Sequence, residues 1–309
     1  MDEYKTQDLP LPQSPVVPQT FDGTKTIQFQ CRKGIACWNA CCSNIDISLT
    51  PYDILRLKRR LGIGSGEFLE KYTLPYEMEQ GGIAGVKLRP VENGAACQFM
   101  TAEGCGVYQD RPTACRYYPV ALLSMRRQDE YTDRNSYALV KEEHCLGHNE
   151  KPPKGTSFGA RSITIDDYRK EQGLEQYDEL ARGWRQLILK KKSSGPAVGK
   201  PSKRSLQLFF MACYDVDRFR VFVASEGFDE LYDLPAEEIQ KILGDDVELM
   251  LFGFRFLKQV LFGENTIAMK KDAAGKRLER FQEKVLRMER EAAEKRAAEQ
   301  DGMYENADD

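Results

Sequence analysis

Apolar residues recur at helical spacing in the stretch that follows Thr50. Ile54, Leu57 and Leu61 lie three or four positions apart, and basic residues fill most of the positions between them. Thr50 is a favourable N-cap residue, and the proline after it suits the first helical position. We therefore predict a helix that begins after Thr50 and ends at Gly62.

The other elements follow from the same periodicities. We expect a second short helix within residues 63–80, extended chain over residues 83–99 and a strand near residues 137–140. Further helices are expected over residues 164–189, 206–224, 235–243 and 247–262. The tail is predicted to be a charged helix with a narrow apolar stripe, formed by Leu278, Phe281, Val285 and Met288.

These elements predict an α+β fold that is predominantly helical. An irregular cysteine-rich N-terminal region precedes a helical C-terminal half and a charged terminal helix. The expected organisation is a flexible leader (1–27), a cysteine-cluster metal-binding domain (28–150), a helical region packed on it (151–269) and a charged helical tail (270–309). Lys151–Gly155 is the expected break, and residues 190–204 are expected to be a polar basic linker.

The composition argues against several classes of protein. The chain has 309 residues, is 41% hydrophobic and carries a net charge of −3, so it can bury a sizeable core and has no overall attraction to nucleic acid. The basic linker has no interleaved aromatic residues, which also argues against nucleic acid. No apolar run reaches membrane-spanning length, and the N-terminal residues do not read as a secretory signal. A cytoplasmic protein that does not enter a membrane is expected.

Eight of the nine cysteines lie between residues 31 and 145. Structural disulfides are rare in a reducing compartment, and thiolates are soft ligands for zinc and iron–sulfur clusters. Thiolates that converge repel one another, and a bound metal supplies the compensating charge. The alternative is a set of buried free thiols, which the clustering disfavours. The pattern therefore predicts a metal site.

The spacing does not identify the metal. The two CxxC knuckles of a zinc ribbon, the ferredoxin run CxxCxxCxxxCP and the radical-SAM pattern CxxxCxxC are all missing. Eight cysteines fit two four-thiolate sites, or one cluster with spare thiols. Cys41 and Cys42 are adjacent and cannot easily face one ion, so they could serve different sites.

Three blocks of sequence resemble the YkgJ-type cysteine-cluster family, whose domain is described as zinc- or iron-chelating. The blocks are residues 37–53 (CWNACCSNIDISLTPYD), 97–119 (CQFMTAEGCGVYQDRPTACRYYP) and 145–147 (CLG). Leu146 stands where the family has proline, and the gap between Cys31 and Cys37 is longer than the family's. The resemblance implies that the metal ligands are Cys31, Cys37, Cys41, Cys42, Cys97, Cys105, Cys115 and Cys145. A weaker likeness continues over residues 214–222.

Other residues near the cysteines have structural interpretations that compete with functional ones. Arg111 and Arg116 could bind cluster sulfurs, but a salt bridge between their loop and the Thr50 helix, at Asp53, is favoured. Tyr117, Tyr118 and Pro119 are expected to form an apolar wall around the site. His148 is expected at the surface or behind the ligands, Cys213 in the core, and Gly62–Gly66 in a turn.

Three functions remain open. The first is an iron–sulfur protein with a redox or electron-transfer role and a redox partner. The second is a structural zinc protein that binds an unknown protein partner. The third is a protein lysine methyltransferase related to flagellin lysine N-methylase, which shares the cysteine cluster, although no S-adenosylmethionine loop is recognisable in this sequence. No catalytic residue is predicted.

Overall fold

A computed structural model describes residues 19–78, 82–125, 134–148, 160–193 and 201–273, with scattered residues between 275 and 294. Over this part of the chain the fold is α+β and predominantly helical, as predicted. The chain divides into two compact units, Met1–Arg218 and Phe219–Asp309. The four-part organisation expected from the sequence stays a prediction.

The first unit contains the strands, which pair only in antiparallel twos. The strands are β1 (Thr26–Gln28), β2 (Thr73–Met78), β3 (Ile83–Leu88), β4 (Met100–Thr101), β5 (Gly104–Cys105), β6 (Val120–Met125), β7 (Arg134–Leu139) and β8 (Ser162–Thr164). Their pairs are β1 with β8, β2 with β3, β4 with β5, and β6 with β7. Between them stand short helices, 3₁₀ turns and irregular loops, which carry the clustered cysteines except Cys105 of β5.

The helices are as follows: α1 (Pro51–Leu61), α2 (Ser65–Tyr72), α3 (Thr113–Tyr117), α4 (Ile165–Glu171), α5 (Leu174–Ser193), α6 (Lys203–Tyr214), α7 (Val216–Val223), α8 (Glu226–Asp229), α9 (Ala236–Gly244) and α10 (Asp246–Phe262). The division between the two units falls inside α7. In the part of the chain that the structure describes, no helix is both long and apolar enough to cross a bilayer.

Helix α1 has the ends that the sequence predicts. The Thr50 side chain accepts a hydrogen bond from the Asp53 amide, and the Asp53 carboxylate accepts one from the Thr50 amide. This reciprocal capping box satisfies two amides that a helix start leaves without partners. The helix ends at Gly62, and its apolar face, which includes Leu57, is fully buried.

Several element boundaries differ from those predicted. The short helix predicted within residues 63–80 is confirmed as α2, and the residues after Tyr72 form strand β2, which pairs with β3. The helix expected over 164–189 is broken at Gly173, whose φ is +67°. The helix expected over 206–224 is broken at Asp215, and α5 extends to Ser193, into the expected linker.

Other predictions lie partly or wholly outside the described residues. The break at Lys151–Gly155 falls there, as do the first eighteen residues of the leader and residues 194–200 of the linker. Of the predicted apolar stripe, Leu278 and Phe281 also lie outside, whereas Val285 and Met288 are exposed residues of a helical segment.

An apolar cluster of nine buried residues lies against the cysteine loops. Its members are Ile27, Phe29, Tyr117, Val120, Tyr137, Ile163, Ile165, Tyr168 and Leu174, from seven elements and the loop after β1. Tyr118 and Cys145 pack against this cluster from its edge. Cys145 is therefore held in position by the buried aromatic and branched side chains against which it packs.

Polar contacts anchor the end of α6 to β3 and α5, and the start of α7 to α1 and α2. The Tyr214 hydroxyl donates to the Ala84 carbonyl of β3 at 3.1 Å and accepts from Trp184 Nε1 at 3.1 Å. Asp217 accepts hydrogen bonds from the Ser65 amide at 2.6 Å and from Lys58 Nζ at 2.5 Å. Asp217 lies in the segment of weaker family likeness, residues 214–222. This segment therefore binds α1 and α2.

The second unit has an aromatic core. Phe219, Phe228, Phe252 and Phe256 are buried, and their rings approach one another with centroids 5.7–6.2 Å apart. Ring contacts in this range add to the stability that area burial alone gives. This unit, as far as the structure describes it, carries none of the nine cysteines.

Asp53→Ala should destabilise the first unit by about 3 kcal/mol, because the buried carboxylate also accepts from the Thr113 amide and hydroxyl, at 2.8 and 2.7 Å. Asp46→Ala is the matched control, since that carboxylate is exposed and its ion pair with Lys87 lies at the surface. Urea unfolding followed by tryptophan fluorescence measures this, because both tryptophans, Trp38 and Trp184, lie in the first unit. Equal midpoints for the two variants would contradict the role given to Asp53.

Candidate metal centre

The eight clustered cysteines come from four separate segments of the first unit. One segment runs from Cys31 to Cys42 and ends in a 3₁₀ turn over Ala40–Cys42. The second contains the β4–β5 hairpin, the third is helix α3, and the fourth is the loop that precedes the 3₁₀ turn Leu146–His148. These segments pack together, so cysteines more than a hundred positions apart become neighbours.

Cys31, Cys37 and Cys145 form one set, which we call the outer group. The Gln30 amide donates to the Gly147 carbonyl at 2.9 Å, and the Leu146 amide donates to the Cys37 sulfur at 3.3 Å. Burial, together with the neighbouring thiols of Cys41, Cys37 and Cys145, raises the pKa of Cys31 to about 11. The Cys31 side of this set is exposed to solvent.

Cys42, Cys97, Cys105 and Cys115 form a second set, the inner group. The Cys97 amide donates to the Cys42 carbonyl at 2.8 Å, and Cys105 lies on β5, which pairs with β4 just after Cys97. Burial raises the pKa of Cys115 far above its usual value, with smaller contributions from Cys97 and Cys105. All four are half-buried.

Cys41 lies between the two groups. Its sulfur is 4.0 Å from that of Cys42. The hydrogen bond from the Cys42 thiol lowers the pKa of Cys41 to about 7, and the same contact raises the pKa of Cys42. Cys41 is exposed, and it is a charge neighbour of cysteines in both groups.

Backbone amides point at sulfur atoms in both groups. The Leu146 amide donates to the Cys37 sulfur at 3.3 Å, and the amides of Phe99, Val107 and Gly147 lower the pKa of Cys97, Cys105 and Cys145 in turn. Burial raises the pKa of the last three thiols, and these amides oppose that rise. An N–H donor stabilises a thiolate, so the loops favour the form that binds a metal.

Two buried polar atoms near the cysteines have no partner of normal hydrogen-bond geometry among the described residues. They are Nε1 of Trp38 and the hydroxyl of Tyr118. Burial and the adjacent Cys145 thiol both raise the pKa of Tyr118, so this hydroxyl lies beside that sulfur. Sequence reasoning placed Tyr118 in an apolar wall and did not foresee a polar contact with a cysteine.

Two glycines allow the cysteine loops to approach aromatic rings closely. A Cβ built on Gly104 would lie 2.9 Å from Trp38, and Gly104 also has a φ of +123°, which side chains rarely adopt. A Cβ on Gly147 would lie 2.8 Å from the Phe29 ring. The glycines before Cys105 and after Cys145 are therefore required by packing.

Asp53, Arg111 and Arg116 hold the loops around the inner group. Asp53 binds Thr113 at the start of α3, and Arg116 donates to the carbonyls of Arg111 and Gln172 at 3.0 and 2.8 Å. The predicted salt bridge is made by another pair, since Arg56 of α1 binds Asp110 at 2.8 Å.

Arg111 also supplies positive charge near the sulfurs. It donates to the Tyr108 carbonyl at 2.8 Å and its guanidinium lies 4.0 Å from the Tyr108 ring centre. Burial raises the pKa of both Cys31 and Cys105, and Arg111 lowers both. It is therefore close to one cysteine of each group.

The thiols are neighbours, but they do not surround a single point. Among the described residues, no three His, Cys, Asp or Glu side chains are arranged so that they could hold a metal ion. A single zinc ion needs ligand sulfurs at about 2.3 Å from its centre. The donor set, thiols with amides directed at sulfur, is that of both zinc and iron–sulfur sites.

Residues 30–146 match the family model CxxCxxCC, described as "Putative zinc- or iron-chelating domain". This segment is a CxxCxxCC domain. The match includes the outer group, the inner group and Cys41, and it confirms the cysteine-cluster family indicated by the sequence. It supports metal binding, and its description covers both zinc and iron. Comparison with curated proteins and with solved structures gave no match.

The remaining candidates lie at the margin of the CxxCxxCC domain or outside it. His148 is buried against Phe29, and its Nε2 is 3.2 Å from the Val140 carbonyl, so it is not a surface residue. Burial lowers the pKa of His148. Cys213 is a core thiol of α6, as expected. The turn between α1 and α2 is shorter than expected, because Ser65 and Gly66 already belong to α2.

Gly104→Ala should destabilise the CxxCxxCC domain by about 2 kcal/mol and reduce its metal content, because the new methyl group collides with Trp38 and strains the backbone before Cys105. Gly106→Ala is the matched control on the other side of Cys105. Its new Cβ would meet only ordinary contacts, the nearest at 3.4 Å. Urea unfolding and metal analysis compare the variants. The same loss in both, or none in Gly104→Ala, would contradict this account.

Proposed function

We propose that the CxxCxxCC domain holds an iron–sulfur centre with a redox or electron-transfer role. One observation carries the proposal: thiols from four segments converge, and backbone amides are directed at four of their sulfurs. Hydrogen bonds to ligand sulfurs are among the main means by which a protein sets the potential of such a cluster. A structural zinc site has less use for that adjustment, since zinc has no redox chemistry.

The number and spacing of the thiols support a cluster over a single zinc ion. The chain offers eight clustered cysteines and lacks the two CxxC knuckles of a zinc ribbon. When bound, the centre would supply one-electron transfer.

The surroundings of the thiols suit exchange with a redox partner. Cys31 and Cys41 are exposed, whereas Cys115 is half-buried and strongly desolvated. A centre held by these residues would be accessible on one side and shielded on the other. Arg111 offers positive charge close to Cys31 and Cys105, which would offset the negative charge of the thiolates. The expected partner is a redox protein that contacts the exposed side.

Full-length protein purified without oxygen should contain iron and acid-labile sulfide in similar amounts and absorb broadly in the visible, with bleaching on reduction. Iron, zinc and sulfide analysis with a visible spectrum tests this. Cys115→Ser should lose iron and sulfide, because that residue is enclosed among the inner cysteines. The control Cys213→Ser should leave both unchanged, because Cys213 is buried in α6.

Each of three other results would contradict the proposal. Stoichiometric zinc without sulfide would identify a structural zinc domain instead. Folded protein with neither metal would rule out metal binding by this chain. Loss of iron in Cys213→Ser, with the fold preserved, would show that the ligand set is wrong.

Tyr118→Phe should lower the reduction potential of the centre while leaving its iron content unchanged. The Tyr118 hydroxyl lies beside the Cys145 sulfur, and a donor there stabilises the more negative, reduced state. The adjacent control is Tyr117→Phe, whose hydroxyl donates to Asp178 at 2.6 Å rather than to a cysteine. Redox titration of the visible spectrum measures both. An unchanged potential in Tyr118→Phe, or an equal shift in Tyr117→Phe, would exclude a contact between this hydroxyl and the centre.

A further inference from the structure

The helical tail of the chain exposes three large apolar side chains to solvent. Between residues 279 and 294, every residue that the structure describes is helical and exposed. Val285, Leu286 and Met288 are among them, with 37%, 65% and 58% of their surface accessible. A lone helix of this length is only marginally stable in water, because most helical stability in proteins comes from packing an apolar face. The uncovered face therefore indicates that the helix packs against a partner.

We propose that residues 274–296, which we call the tail segment, bind the same segment of a second copy of this chain as a parallel two-stranded coiled coil. The proposal does not depend on the metal centre or on its function, because the tail segment lies outside the CxxCxxCC domain. It rests on the exposure of the apolar side chains, on their spacing and on the order of the charged residues around them.

The apolar residues of the tail segment follow a heptad repeat. Steps of four and three residues alternate along Ala274, Leu278, Phe281, Val285, Met288 and Ala292. These residues occupy the a and d positions, with Val285 at a and Met288 at d, and a and d form the seam of a coiled coil. A stripe restricted to a and d is narrower than the apolar face of a helix that lies on a globular core. The spacing therefore favours a second helix as the partner.

The charged residues favour an identical helix in the parallel orientation. In a parallel pair, the g residue of one helix lies beside the e residue of the next heptad on the other helix. Lys284 at g would lie beside Glu289 of the partner subunit, and Glu291 at g would lie beside Arg296 of the partner subunit. The twofold symmetry of the dimer forms each of these attractive pairs twice.

The overall charge of the tail also permits two copies to associate. From residue 270 onward the chain carries ten basic and eleven acidic residues, so this part is close to neutral. Two such helices would not repel each other as two helices of one charge sign would. Because both signs alternate closely, each copy supplies the charges that the other needs.

Sedimentation equilibrium of the full chain tests the proposal, with a reductant present so that disulfides through the exposed Cys31 or Cys41 do not imitate a dimer. Wild-type protein should reach the mass of two chains as its concentration rises. Val285→Lys should remain a monomer, because it places a charge in the seam. Leu286→Lys is the matched control: it adds the same charge one residue away, at a b position outside the seam, and should dimerise like the wild type.

A charge exchange tests the parallel register. Glu289→Lys should raise the dissociation constant of the dimer about tenfold, because it turns two attractive pairs with Lys284 into repulsive ones. Adding Lys284→Glu to this variant should restore the wild-type value. Glu283→Lys, the same substitution at an outer f position, should leave it unchanged.

Three results would overturn the proposal. The first is wild-type protein that stays monomeric up to millimolar concentration, and the second is a dimer that persists in Val285→Lys. The third is a charge exchange that fails to restore the dimer. Circular dichroism checks that every variant retains the fold of the rest of the chain, so that loss of the dimer reports on the tail segment alone.

Discussion

The rest of this structure depends on bringing eight thiols close together. Burial raises the pKa of Cys31, Cys97, Cys105, Cys115 and Cys145, and neighbouring thiols raise the pKa of several of them further. Such a set is unfavourable as thiolates unless positive charge and hydrogen-bond donors compensate. Arg111 and the amides directed at sulfur provide part of that compensation. A bound metal would provide the rest of the compensation, since residues 30–146 match a family described as zinc- or iron-chelating.

The helices and the small core hold these loops from outside. Asp53 is fully buried and joins the start of α1 to the start of α3, so that one carboxylate fixes the helix that carries Cys115. The aromatic cluster around Phe29 supports the loop of Cys145, and Gly147 allows the close contact. Regular elements carry few of the cysteines themselves, because loops can turn their amides toward sulfur, whereas amides in strands and helices are committed to the backbone.

The outer and inner groups of cysteines differ in their exposure to solvent. Cys31 and Cys41 are exposed, and the four cysteines of the inner group are partly buried. This arrangement would let a bound centre meet a partner on its exposed side. The N–H donors at Cys37, Cys97, Cys105 and Cys145 serve both groups, so hydrogen bonds from the backbone would adjust the properties of the centre.

The sequence by itself determined the class of fold, the family and helix α1 with both of its ends, because capping residues and apolar spacing are local properties. It also identified the eight cysteines as one constellation and Cys213 as a core thiol. Only the tertiary structure decided how the cysteines group, why Gly104 and Gly147 are glycines, that Tyr118 lies beside Cys145, and that Arg56 rather than Arg111 or Arg116 makes the salt bridge from α1. These contacts join residues tens of positions apart, and loops without periodicity carry no local signal of which partner they will meet.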